Sequence, residues 1–352
     1  MNWTIDPLGE YMIGQYGPNI NSENIAAFDL DDTLIQKKTR DLYNSDTLPI
    51  LTKYSNTHRL VIVTNQNGIE RGYETKEQFK SFVEELLKKI DLPITIYVAI
   101  TRSIFRKPNT GFFDKFIPYN KGYSFYCGDA GGLPARRIQN IKIKKDFSDG
   151  DLKYALNLGV RFVHRDELYY GVNTLQRVEY VTRPKGIMPL IEPFDQEMLL
   201  MVGYPASGKS YWACKMAKMN PNYKIVSLDI EKTKVRITKK IIDNLELGFS
   251  IIVDNTNFTI ENRKSYIDLA KKYNVDVRCI VIDCPMELAW HNNLYRAYYG
   301  NMFRNIVPKT VYYSLRKKHV KPSNSEGPSD VISIKFSYEG NDPFYDKYYE
   351  KM

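Results

Sequence analysis

The sequence predicts two doubly wound, parallel-sheet α/β domains in series, and three observations carry this. Apolar runs of strand length, 25–30 and 60–64, end in polar residues and alternate with helical patterns, which argues a parallel sheet. A second series of such runs begins near Glu197. Between the two series, 171–196 contains Pro184, Pro189 and Pro193 and has no clear period, as a boundary region should.

In chain order, the first strand is Ile25-Ala-Ala-Phe-Asp-Leu30 and the next is Leu60-Val-Ile-Val-Thr64. A helix is predicted over 75–90, where Phe79, Phe82, Val83, Leu86, Leu87 and Ile90 recur at helical spacing. Tyr123-Ser-Phe-Tyr-Cys127 reads as a third strand. In the second series the strands are Met198-Leu-Leu-Met-Val202, Ile225-Val-Ser227 and Ser250-Ile-Ile-Val253. A loop over 321–330 precedes a last strand at 331–336. The expected domains are 1–180 and 197–352, with a linker at 181–196. Ligands of such sheets bind beyond the carboxyl ends of the strands, which directs attention to Asp29 and Thr64.

A length of 352 residues fits about two domains at roughly 150 residues each. The hydrophobic fraction of 43% supports packed cores and excludes a disordered or fibrous chain. No apolar run reaches the ~18 residues of a membrane span, and the start lacks the basic and apolar regions of a signal peptide. Cys127, Cys214, Cys279 and Cys284 form no Cys-x-x-Cys pair, and the four histidines are scattered. Structural zinc and a disulfide framework are therefore not expected. The expected location is intracellular, cytoplasm or nucleus, away from membranes. The net charge of +9 gathers in 101–150 and 301–320. That suits a polyanion such as nucleic acid, although a solvated lysine-rich surface has the same composition. Richness in Asn, Lys, Ile and Tyr hints at an AT-rich genome and a viral source.

The first chemical signal is Asp29-Leu30-Asp31-Asp32-Thr33 after an apolar strand. Of two carboxylates two residues apart, one can attack phosphorus. The other can protonate the leaving oxygen and later take a proton from water. The backbone between them, at Leu30 and Asp31, can face Mg²⁺ together with Asp29. Asp-x-Asp alone is common in loops, but here it has company. Thr64 ends the next strand and offers a hydroxyl to a phosphoryl oxygen. Lys107 offers a cation, and Asp129, after the third strand, offers another Mg²⁺ carboxylate. This ordered set resembles the haloacid dehalogenase superfamily.

Phe28-Asp-Leu-Asp-Asp-Thr-Leu-Ile35, Thr64-Asn-Gln-Asn-Gly-Ile-Glu-Arg-Gly72, Arg106-Lys-Pro-Asn-Thr-Gly111 and Cys127-Gly-Asp-Ala-Gly-Gly132 resemble, more narrowly, the polynucleotide 3′-phosphatases. The resemblance implies Asp29 as nucleophile and Asp31 as acid/base. It implies Thr64, Asn65 and Lys107 as phosphoryl ligands and Asp129 as a Mg²⁺ ligand. Asp146, in Lys144-Lys-Asp-Phe-Ser148, is expected to stand behind the site or to orient Lys107. Asp32 stands where many relatives have glycine, so a local backbone adjustment is expected there.

The second signal is Gly203-Tyr204-Pro205-Ala206-Ser207-Gly208-Lys209-Ser210, which fits Gly-x4-Gly-Lys-Ser between a strand and a helix. Its backbone N–H groups would cradle ATP phosphates, with Lys209 balancing their charge and Ser210 on Mg²⁺. Asp229, after the next strand, could take the proton of an incoming hydroxyl, or could simply cap a helix. Asp254, Asn255 and Asn257 end a further strand and suit an acceptor. Arg296 is expected to clamp the nucleotide phosphates; Arg304 and Arg316 are weaker candidates.

The P-loop, Asp229, Asp254-Asn-Thr-Asn257 with Arg263, and His291-Asn-Asn293 with Arg296 resemble the kinase half of the polynucleotide kinase 3′-phosphatases. The resemblance covers about 24–337. The stretch before it leaves no room for the N-terminal phosphopeptide-binding domain of animal members, so a compact form is expected. Leu228 stands where relatives often have arginine. The resemblance implies an ATP- and Mg²⁺-dependent monomer that converts 3′-phosphate and 5′-hydroxyl ends of DNA, with RNA left open, into ends for a ligase. Rival readings are a small-molecule phosphatase fused to a metabolite kinase, and a scaffold with decayed sites.

Overall fold

The computed structural model describes residues 1–18, 20–172, 181–300 and 305–352. The chain divides into two compact units: Met1–Glu179 with Lys347–Glu350, and Tyr180–Asp346 with Lys351–Met352. No helix among the described residues is long and apolar enough to cross a membrane.

The first unit contains β1 (Asn2–Ile5), β2 (Tyr11–Tyr16), β3 (Ile25–Phe28), β4 (Arg59–Asn65), β5 (Ile94–Ala99), β6 (Phe125–Gly128) and β9 (Arg161–His164) in one sheet, with β7 (Arg136–Ile138) and β8 (Ile141–Ile143) as a separate hairpin. Its helices are α1 (Thr47–Ser55), α2 (Asn67–Glu70), α3 (Lys76–Ile90), α4 (Gly111–Phe116), α5 (Gly150–Leu158) and α6 (Arg165–Tyr170). The strand order is β1-β2-β5-β4-β3-β6-β9. It is parallel from β5 to β9, whereas β1 and β2 add an antiparallel edge. The sequence reading placed its first strand at 25–30 and missed this hairpin. Its signal was turn chemistry: Asp6 accepts from the backbone N–H groups of Leu8 and Glu10, and Gly9 takes a positive φ of 73°.

Alternation along the parallel strands sends side chains to two cores. Ala26, Phe28, Leu60, Ile62, Ile96 and Val98 bury on one face, and Ile25, Ala27, Val61, Val63, Tyr97 and Ala99 on the other. A sheet covered on both faces reads as continuous apolar runs, which is why 60–64 was legible. Helix α3 starts with a capping box between Thr75 and Gln78. It buries the expected Phe79, Val83, Leu86, Leu87 and Ile90.

The second unit contains β10 (Glu197–Val202), β11 (Tyr223–Val226), β12 (Ser250–Val253), β13 (Asp276–Asp283) and β14 (Asp330–Lys335) in the order β11-β12-β10-β13-β14, all parallel. Around it stand α7 (Lys209–Met219), α8 (Leu228–Glu231), α9 (Lys234–Glu246), α10 (Ile260–Lys272), α11 (Met286–Tyr298) and α12 (Lys309–Lys318). Both units thus place their loops of interest at the carboxyl ends of parallel strands.

Candidate active sites

In the first unit, β3 stops at Phe28 and Asp29 begins the turn, its N–H donating to the Cys127 carbonyl at 2.8 Å. Lys107 Nζ lies 2.7 Å from Asp29 Oδ1 and 2.8 Å from Asp151 Oδ1, and it donates to Tyr126 Oη at 2.5 Å. The ammonium is almost fully buried. Burial alone would lower its pKa, but the carboxylates of Asp151 and Asp29 raise it above the ordinary lysine value. Burial drives Asp29 well above the carboxylate range against the pull of Lys107, and Asp151, Asp129 and Asp31 push it further. Burial and Asp151 likewise raise Asp129 to about 7.

Carboxylate oxygens of Asp29, Asp129 and Asp151 lie within 4.8 Å of one another. Such mutually repelling, desolvated oxygens fit a hard divalent cation such as Mg²⁺. Sequence reasoning missed Asp151. Locally, Asp149-Gly150-Asp151 looks like the acidic start of a helix, which it is. Its role comes from the fold, because it packs against Gly128, where a Cβ would stand 2.3 Å from its Oδ2. That glycine was legible; the reason for it was not.

Several expected residues hold other residues instead of presenting themselves. The side-chain amide of Asn65 donates to the Lys107 carbonyl at 3.2 Å and accepts from the Lys107 N–H at 3.0 Å. Its amide therefore fixes the lysine backbone, in place of the expected contact with a phosphoryl group. The Leu30 carbonyl accepts from Leu34 and Ile35 N–H at 3.0 and 3.1 Å, so it points into its own turn and not toward a metal. Of the two expectations for Asp146, it does not reach Lys107 but stands behind the loop that carries Asp129. It accepts from Gly131 and Leu133 N–H and pairs with Arg136 and His164; Asp151 is the carboxylate on the lysine. At Asp32 the backbone takes a left-handed φ of 54°, the region a glycine favours and aspartate tolerates. Thr64 and Asp31 do meet, through Gln66 Nε2, which donates to both at 2.9 and 3.2 Å.

In the second unit, a cavity of about 300 Å³ is lined by Pro205, Ala206, Lys209, Ser210, Asp229, Asp254, Asn255, Asn257 and Arg296 among others. The loop after β10 turns through Gly203, Ala206 and Gly208, all at positive φ, and delivers Lys209 as the first residue of α7. Lys209 Nζ donates to the carbonyls of Gly203 and Tyr204 at 2.9 and 2.7 Å. Burial lowers it to about 8, against the pull of Asp254. A buried ammonium hydrogen-bonded, among the described residues, to two carbonyls, beside the N-terminus of an 11-residue helix, fits polyphosphate.

Asp229 is the exposed second residue of α8, whose N-cap is Ser227. The helix-cap alternative for Asp229 therefore does not hold. Asn255 Oδ1 accepts from the Leu228 N–H at 2.9 Å, and its Nδ2 donates to Tyr266 Oη, so it braces the turn that carries Asp229. Asn257 donates to the Met201 carbonyl from a buried position. Its side chain fastens the end of β10 and is not offered to an acceptor. Buried Arg263 pairs with Glu326 and donates to the Asn257 carbonyl. Arg296 donates to Asn293 Oδ1. Arg316 lies 5.9 Å from the Tyr313 ring and is not among the residues that line the cavity, although its charge acts on Tyr204 of the P-loop; Arg304 lies outside the described residues.

Comparison with known proteins gives a match of residues 24–169 to the family model of polynucleotide kinase 3 phosphatase, and of residues 198–311 to that of an AAA domain. The chain is 31% identical over 349 residues to the bifunctional polynucleotide phosphatase/kinase of Schizosaccharomyces pombe, covering 92% of this chain and 82% of that protein. It is 31% identical over 363 residues to a protein of Acanthamoeba polyphaga mimivirus, covering 90% and 85%. An uncharacterized 20.8 kDa protein of Autographa californica nuclear polyhedrosis virus is 38% identical over 151 residues, covering 39% of this chain and 81% of its own length.

Proposed function

This chain belongs to the family of bifunctional polynucleotide phosphatase/kinases, and we propose from that premise that Asp29 carries its 3′-phosphatase activity and Asp229 its 5′-kinase activity. The observation that carries the reading is Lys107, poised 2.7 Å from one carboxylate and 2.8 Å from another. A cation so placed opposes the burial that raises Asp29, favouring its ionised, nucleophilic form, and offers a positive charge to the phosphoryl group that Asp29 attacks. We assign the phosphatase to 1–180 and the kinase to 197–352, apart from Lys347–Glu350, which count with the first unit.

In the first site, an Asp29 oxygen attacks phosphorus while the P–O3′ bond breaks and Asp31 gives its proton to the departing 3′ oxygen. Water then attacks the phosphorus of the aspartyl phosphate as the bond from phosphorus to the Asp29 oxygen breaks, and passes its proton to Asp31; phosphate leaves, with Asp29 again a carboxylate and Asp31 again the protonated acid. Thr64 and Lys107 bind the phosphoryl oxygens, while Asn65 and Asp151 hold Lys107. Asp29, the backbone at Asp31, and Asp129 would bind Mg²⁺, which supplies charge neutralisation at phosphorus.

In the second site, the P-loop and Lys209 hold the phosphates of ATP and Arg296 the transferring group, and Ser210 would hold a Mg²⁺. Asp229 takes the proton of the 5′-hydroxyl as its oxygen attacks the γ-phosphorus and the bond to ADP breaks. Asp254 lies at the cavity between these groups. The products, a 3′-hydroxyl and a 5′-phosphate, are the ends a ligase joins, so the enzyme acts upstream of one, on DNA and with RNA as the alternative. One chain carries both sites, so a monomer suffices. Relatives in two viruses accord with a viral source.

The test is separability, scored on oligonucleotides bearing a 3′-phosphate or a 5′-hydroxyl. Asp29→Asn should lower 3′-dephosphorylation by about 10⁴-fold or more and leave 5′-phosphorylation intact. Lys209→Ala should do the reverse. Loss of both activities from either change in a folded protein would contradict the assignment.

A further inference from the structure

The loop that carries Lys107 is fastened from outside itself. The carbonyl of the next residue, Pro108, accepts from Asn157 Nδ2 at 2.8 Å. Asn157 stands on α5, the helix whose first turn supplies Asp151. One helix therefore grips both the ammonium of Lys107 and the backbone beside it.

Asn157 is in turn held by the stretch Lys347–Glu350, which counts with the first unit. Its Nδ2 also donates to the Tyr348 carbonyl at 2.9 Å, and its Oδ1 accepts from the Tyr348 N–H at 2.7 Å. Both donor hydrogens and the acceptor of the amide are then engaged, which fixes its orientation. The rest of the stretch is anchored around the same loop. Lys347 Nζ donates to Thr110 Oγ1, and Glu350 lies 3.8 Å from Arg106 Nε. The Tyr349 carbonyl accepts from Lys153 Nζ at 3.0 Å, and both residues are buried.

We propose that residues 347–350 are a positioning strap for the phosphatase site: through Asn157 they fix the loop that presents Lys107 to the phosphoryl group. This rests on the reading of Lys107 given above. The strap touches no reacting atom. Its effect is on where Lys107 sits, and a displacement of about 1 Å can cost ~10²-fold in rate. Because the remainder of the substrate binds elsewhere, the loss should fall on kcat and spare KM.

Three variants test it: the chain ended after Asp346, Tyr348→Pro in the full chain, which removes the N–H that Asn157 accepts, and Asn157→Ala. Phosphatase kcat and KM are measured on a 3′-phosphorylated oligonucleotide, and the kinase rate on the same preparations. Each variant should lower phosphatase kcat by about tenfold or more, with KM and the kinase rate within about twofold. Asn157→Ala in the shortened chain should add nothing further, because both changes cut one connection. If the shortened chain fails to fold, Tyr348→Pro decides. A phosphatase kcat within about threefold of the unaltered chain, or a parallel fall in both activities, overturns the proposal. Lys107→Ala separates this from failure of the underlying reading: an active Lys107→Ala enzyme sinks the role of Lys107, whereas an inactive one beside normal strap variants sinks only the strap.

Discussion

The two units each bury a lysine beyond the end of a strand, one in a loop and one at the start of a helix, and they compensate it in opposite ways. Lys107 sits between Asp29 and Asp151, which raise its pKa. Lys209 has the Gly203 and Tyr204 carbonyls, and burial brings it down to about 8. In the first site the counter-charge is built into the protein, which fits our proposal that the anion attacking phosphorus there is a side chain. In the second the loop holds its cation on backbone oxygens, and on our proposal the counter-charge is that of the ATP phosphates. The difference separates a nucleophile owned by the enzyme from one owned by the substrate.

The comparison can be broken first at the second nucleophile. Asp229→Asn should lower kinase kcat by about 10²–10⁴-fold, since the amide can orient a hydroxyl but cannot take its proton. ATP affinity, measured by titration, should hardly move; a kcat within about threefold of the unaltered chain would retire Asp229 as the base.

Exchanging each lysine for methionine sharpens the contrast. Lys107→Met should cost about 10²–10³-fold in phosphatase rate. It should also cost about 3–5 kcal/mol in urea unfolding without divalent cation, because buried carboxylates lose their partner. Lys209→Met should abolish ATP binding yet change stability by less than about 1 kcal/mol, since only two carbonyl contacts are lost. Equal destabilisation by the two changes would erase the distinction.

Asp151→Asn keeps the shape and removes one of the two charges on Lys107. Phosphatase kcat should fall by about 10–10²-fold, the worth of a hydrogen bond to a charged group, with the kinase rate as internal control. The smallest effect belongs to Asp146. Burial pushes its carboxyl up, but hydrogen bonds from His164, the Leu133 N–H and Arg136 outweigh this and hold it below its ordinary 3.8. A depressed folded pKa contributes stability above the ordinary value that is lost as pH falls through the folded one. Asp146→Asn should therefore destabilise by roughly 1–3 kcal/mol near neutrality, and the deficit should shrink in acid unfolding curves.

What the sequence made legible were residues whose local context already states the chemistry. Asp29 after a buried strand, the glycine-bracketed Lys209, and the periodicity of α3 all announce themselves. The hidden part depended on contacts distant in sequence. Asp151 looks like a helix start until Gly128 admits it to the site. Asn65 and Asn257 look like ligands until their amides are found on the backbone of Lys107 and Met201. The Leu30 carbonyl was misassigned because a turn's internal hydrogen bonds are not written in its residue types. The antiparallel edge at β1 and β2 lay in a stretch whose weak alternation gave little strand signal.

The most direct test of the central difference is to ask which phosphate becomes bound to the protein. In rapid acid quench of a single turnover, an oligonucleotide labelled in its 3′-phosphate should transfer label to the chain at Asp29, and Asp29→Asn should prevent it. ATP labelled in the γ-phosphate should label the 5′ end and leave the protein unlabelled throughout. Phosphate released from the 3′ end with no labelled protein at any time, or label passing from ATP to a side chain, would contradict the account.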